Sequence, residues 1–174
     1  MQKQQHANLS WSQGVSEALP LADGTLKAVF LSQVWHHLLD QERAGSEFFR
    51  SLKPGGGLFI KTFSHQQIRA RWDLQFIFPE LMPLMLNIYP DVPDFEVLLK
   101  NIGFRSVEFE SAQRENHLLP SQLLTFLREK AWSMFSFLSP DGAAEGKARL
   151  ESLVSAGDAP VSFPEFQLLV IALK

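Results

Sequence analysis

The chain of 174 residues contains no cysteine, which excludes disulfides and thiolate metal sites. It has one tyrosine against 15 phenylalanines, a balance that favours buried aromatic packing. It also has no surplus of basic charge. The formal net charge is −3 and the isoelectric point is near 5.9, so nothing drives it electrostatically toward nucleic acid or an anionic membrane. No apolar run reaches the length that crosses a bilayer, and the opening M-Q-K-Q-Q-H-A lacks the apolar core of a signal peptide. A cytoplasmic protein with no membrane partner is the expected reading. Three catalytic signatures are missing as well. There is no G-x-S-x-G elbow for a serine hydrolase, and the glycines at 55–57 lack the Lys-Ser/Thr of a phosphate loop. His36 and His37 lack an E-x-x-H or similar metal spacing, so no metal site is expected.

What is present is ordinary globular composition: 45% hydrophobic and 20% charged residues, enough to bury a core in one domain spanning 1–174. Five strands are expected. Leu9–Gln13 places Leu9 and Trp11 on one face, and Ala28–Ser32 is a short apolar run suited to a covered parallel strand. Leu58–Phe63, Arg105–Glu110 and Phe166–Leu173 complete the set. A helix is expected after Asp40, whose carboxylate can cap free N–H groups, with Ala44, Phe48 and Leu52 along one face. Phe95, Leu98, Leu99 and Ile102 mark a second helix that ends at Gly103. A long helix is expected over 121–138 and a weaker one over 144–155. Alternating strands and helices define an α/β domain, whose ligands sit beyond the carboxyl ends of the strands.

The run G-V-S-E-A-L-P from Gly14, followed by Leu52-Lys53-Pro54-Gly55-Gly56, resembles the middle of a class I S-adenosylmethionine (SAM)-dependent methyltransferase of the small-molecule, type 11 kind. The resemblance extends to D-V-P-D-F-E-V-L-L-K-N-I-G-F-R-S-V-E-F over 91–109. It implies a Rossmann-like, mostly parallel sheet with an antiparallel C-terminal hairpin, lacking the family's first two strands and their glycine-rich cofactor loop. It also implies direct methyl transfer from SAM to an O, N or C nucleophile of a small molecule. Gly14, Val15 and Ser16 match the loop at the adenine, with Val15 where an acidic residue is usual. Ser32, Gln33 and Val34 match the strand end at the methionine part of the cofactor.

With the glycine loop absent, SAM binding by this chain is in doubt, and the missing strands would uncover an edge of the Ala28 strand. The expectation is either an N-terminally incomplete gene prediction or a fragment that dimerises through that edge. An alternative to an enzyme is a non-catalytic remnant of the fold serving as an interaction or oligomerisation module. His36 is the candidate general base, although histidines in such places more often simply pack or face solvent. The apolar, proline-cut segment at about 65–90 corresponds to a lid over the substrate, with Arg69, Trp72 and Tyr89 as substrate contacts. The bland reading is that its apolar residues pack on the sheet and its arginines, Arg69 and Arg71, are solvated charges.

Overall fold

The structure, a computed structural model, describes residues 9–174. Leu9–Gln13 forms no strand. Leu9 and Trp11 are 52% and 78% exposed, and nothing described pairs with this segment. A strand needs a partner and a face to bury, and here it has neither.

Four strands form one sheet: β1 (Leu26–Ser32), β2 (Leu52–Thr62), β3 (Ser106–Leu118) and β4 (Val161–Leu173), in the order β1-β2-β4-β3. β1 runs parallel to β2, while β4 lies antiparallel to both β2 and β3. The α/β class and the antiparallel C-terminal pair are those the sequence implies. Helix α1 (Gln41–Ser51) starts where expected, with the Asp40 carboxylate accepting from the Arg43 N–H at 2.9 Å. Helix α4 (Val92–Ile102) ends at Gly103, whose φ of +116° is left-handed. Phe48 of α1, Phe95 and Leu99 of α4, and Leu58 and Ile60 of β2 meet in a core on one face of the sheet. Arg50 pins the chain ahead of β1 by donating to Asp23 and to the carbonyls of Leu19 and Leu21.

A second core lies apart from the first. It is built by α2 (His65–Arg69), a π-helical turn (Asp73–Ile77), α3 (Leu81–Ile88), α5 (Pro120–Glu129), a 3₁₀ turn (Ser133–Phe137) and α6 (Pro140–Ser155). Leu74, Phe78, Leu81, Leu123 and Leu150 are its fully buried members. The segment at 65–90 is therefore part of a helical cap shared with 120–155.

Two expectations are corrected here. The helix expected over 121–138 stops at Glu129, because Lys130 adopts a left-handed φ of +50° and the chain folds back. Phe126, Trp132 and Phe135 then stack in series, at 5.4 and 5.5 Å between ring centroids. Aromatic burial outweighs the helical periodicity. β3 and β4 also run further than their apolar patterns suggest. They continue beyond the rows paired with β2, from Ala112↔Gln167 out to Leu118↔Val161. This two-stranded ribbon is exposed on much of both faces, so it carries no buried stripe that would announce it.

Candidate functional site

The functional geometry begins where β1 ends. Gln33 takes a φ of +54°, left-handed for a residue with a side chain, while its N–H is bonded to the Lys61 carbonyl at 2.9 Å. The chain then enters a 3₁₀ turn, Trp35–His37. Trp35 is fully buried between Phe48 and Phe95, with ring centroids at 6.4 and 5.6 Å, and this anchors the turn. Its neighbour His36 faces a cavity of about 480 Å³. The cavity lies at the carboxyl ends of β1 and β2, beneath the helical cap, and the projecting β3–β4 ribbon closes one side through Asn116, Phe163 and Glu165.

Within it, His36 Nε2 lies 3.0 Å from Tyr89 Oη, and the two rings stack at 3.9 Å. Tyr89 Oη also reaches Gln33 Oε1 at 3.5 Å. Burial, reinforced by the neighbouring His37, lowers the His36 pKa to about 4, so its imidazole is neutral at pH 7. Burial raises the Tyr89 phenol to about 12, against the opposing pull of Arg71. His36 Nδ1 is buried with no hydrogen-bond partner.

Arg71 is the cavity's fixed cation. Its side chain is only 20% exposed and holds Asp73 through two contacts, at 3.1 and 2.5 Å. Burial disfavours its charge, but the charge and hydrogen bonds of Asp73 outweigh that and raise its pKa. The guanidinium lies over the rings of Phe63 and Trp132, at 5.7 and 5.9 Å from their centroids. Trp72 faces Phe163 nearly parallel, at 14° and 6.2 Å. Glu165 is paired with Arg114 at 2.5 Å.

Of the residues singled out from the sequence, His36, Gln33, Trp72 and Tyr89 converge on this cavity, and Arg69 is not among its lining residues. Ser32 and Val34 are exposed beside the cavity mouth at the end of β1. Gly14, Val15 and Ser16 sit on an exposed turn in which the Ala18 N–H bonds the Val15 carbonyl at 3.2 Å, and Val15 itself is 60% exposed. Glu17 ties that turn to the start of α1 through Asp40 and Arg43, on the β1 side of the molecule. Arg71, expected as a solvated charge, is instead the paired cation of the cavity. Phe63, Trp132, Phe163 and Glu165 were not singled out. The last three reach the site only through the fold-back after α5 and the ribbon extension, and neither has a periodic signal.

Residues 1–60 match the methyltransferase domain family. Over 122 residues the chain is 26% identical to the ubiquinone/menaquinone biosynthesis C-methyltransferase UbiE of Klebsiella pneumoniae, and over 120 residues it is 27% identical to that of Salmonella arizonae. These matches cover 60% and 59% of this chain but 49% and 48% of the relatives, so the chain spans about half the length of the curated relatives it matches. Among solved structures, one described as a methyltransferase from an antibiotic biosynthesis pathway of Anabaena variabilis superposes with a TM-score of 0.74. That match has 18% identity and covers 96% of this chain and 74% of the other. A second, described as a methyltransferase of Bacillus halodurans, gives 0.56 at 17% identity over 97% and 78% of the two chains. The resemblance to class I SAM-dependent methyltransferases is thus borne out in the family matched and in the fold.

Proposed function

We propose that this chain carries the acceptor pocket and one cofactor wall of a SAM-dependent methyltransferase acting on a small molecule. The observation that carries this reading is the position of Gln33. It belongs to the strand end that the resemblance assigns to the cofactor, and its side chain lines the aromatic cavity next to His36. Donor and acceptor would therefore meet across one residue.

The residues present fit a cofactor at that strand end. Ser32 and Val34 are exposed there, and the left-handed turn at Gln33 directs the chain away from the strand line and opens the cavity mouth. Ser32, Gln33 and Val34 would border the methionine part, and Gly14, Val15 and Ser16 the adenine. SAM supplies a sulfonium methyl whose bonding electron pair stays on sulfur as the methyl leaves. The chain itself orients the acceptor between aromatic walls, keeps water from it beneath the cap, and presents His36.

His36 is a weak base, with its pKa lowered to about 4. It is suited to a proton that the new bond to carbon has already made acidic, which passes to Nε2 and then to solvent. Calorimetric titration with S-adenosylhomocysteine tests the cofactor wall. Saturable micromolar binding is expected, and a folded sample that takes up none overturns the reading.

A second reading rests on β1. Among the described residues its outer edge has no strand partner, and Phe30 on that strand is 63% exposed. Such an edge suits pairing with a second copy of the chain, as an oligomerisation module or as a dimeric enzyme. Light scattering separates the cases: this reading expects twice the mass of the chain, and a monomer at tens of micromolar eliminates it.

A further inference from the structure

We propose that the cavity selects an uncharged, flat aromatic acceptor carrying a hydroxyl group, and that the Arg71–Asp73 pair makes it reject ammonium and carboxylate ligands. The proposal deepens the methyltransferase reading and rests on it for the word acceptor, but the selectivity itself is a property of the cavity.

Three observations carry it. The walls are aromatic, and Trp72 and Phe163 present nearly parallel ring planes at 14°. Flat ligands gain most from such surfaces, because they desolvate both faces at little cost in their own conformational freedom. An aromatic-lined cavity is also the usual home of an ammonium group, which sits over ring faces. Here the faces of Phe63 and Trp132 are already taken by the Arg71 guanidinium, and a second cation beside it would be repelled. A free arginine would in turn invite a carboxylate, but both hydrogen-bonding ends of Arg71 engage Asp73, at 3.1 and 2.5 Å. The remaining acid, Glu165, is committed to Arg114. The charges facing the cavity therefore cancel in pairs, and His36 adds none at pH 7. An ionic ligand would give up its hydration without a free counter-charge, which the cavity cannot make good.

The polar atoms not committed in this way are grouped at one end. Tyr89 Oη and His36 Nε2, 3.0 Å apart, can each exchange a hydrogen bond with a hydroxyl, either as donor or as acceptor according to the imidazole tautomer. That fixes which atom of a flat ligand is carried toward Gln33 and the cofactor wall.

The test uses three bicyclic probes of nearly equal shape: 2-naphthol, 1-naphthylmethylammonium and 2-naphthoate. Binding to the whole protein is followed at pH 7 by tryptophan fluorescence and confirmed by equilibrium dialysis. The proposal expects 2-naphthol to bind at least tenfold more tightly than either ion. In Arg71→Gln, which bares two ring faces and leaves Asp73 unpaired, the ammonium probe gains at least tenfold. In Asp73→Asn, which frees Arg71, the naphthoate gains instead. Should either variant fail to fold, the ranking in the native protein still decides. Equal affinities, a preference for either ion, or no binding of 2-naphthol by folded protein each overturn the proposal. Failure to bind S-adenosylhomocysteine with the naphthol preference intact would remove the methyltransferase reading and leave the selectivity standing.

Discussion

His36 shows how much a single side chain depends on its surroundings. In the sequence it is half of a histidine pair with two ordinary readings, base or packing. In the structure it packs against Tyr89 at 3.9 Å and still faces the cavity, so both readings hold at once. Its lowered pKa has a consequence for stability. A histidine whose folded pKa lies below its unfolded value binds more protons when unfolded. Its contribution is fully present above the unfolded value of 6.5 and is lost as pH falls toward about 4. Proton NMR of the His36 ring should therefore show a midpoint near 4, and a midpoint at the ordinary value of 6.5 would mean that the ring is solvated. Trp35, one residue earlier, holds the turn in place. Trp35→Ala should cost about 3–5 kcal/mol in denaturant titrations and should broaden the His36 signals as the turn loosens.

The elements differ in how openly the sequence announces them. α1 and α4 were legible because a capping carboxylate, a buried stripe and a terminating turn all agreed, at Asp40 and Phe48 in one and at Phe95 and Gly103 in the other. The end of α5 was not, because Leu124, Leu127, Ala131 and Met134 keep helical spacing through the very residue, Lys130, at which the chain turns back. What decides there is burial of Trp132 and Phe135 in a core whose other half lies near residue 78, and local periodicity cannot report it. The projecting ribbon was hidden for the opposite reason, since exposed strands show no stripe at all.

The packing of α6 gives a direct check on the cap. A methyl group added at Gly146 would lie 2.3 Å from the Phe78 ring. Overpacking of this kind costs about 1–3 kcal/mol and exceeds the roughly 1 kcal/mol that alanine gains as a helix former. Gly146→Ala should therefore lower the melting temperature, and an unchanged or raised value would show that the cap packs more loosely. Asp158 accepts from the Ser121 N–H at 2.9 Å in the first turn of α5. Asp158→Ala should cost about 1 kcal/mol as a lost cap, read from the denaturation midpoint.

On the scale of the molecule, a conventional sheet-and-helix core supports a second, helical core, and the site lies where the two meet. The strand end carrying Ser32, Gln33 and Val34 was legible through family resemblance, and Trp72 and Tyr89 through the apolar segment that holds them. The charge logic of the cavity was not, because it depends on Arg71 and Asp73 facing inward beneath a ribbon contributed from far along the chain. Substituting Leu150, fully buried between the cap helices, by alanine should cost about 2–5 kcal/mol and weaken acceptor binding along with stability. The central claim is that methyl donor and aromatic acceptor meet across Gln33. The most direct measurement is to incubate the protein with methyl-labelled SAM and a panel of hydroxylated bicyclic arenes, 2-naphthol among them, and to follow label into an organic extract. The account predicts label that grows with time and protein and is sharply reduced in His36→Ala. Protein that binds both ligands yet transfers no label would contradict it.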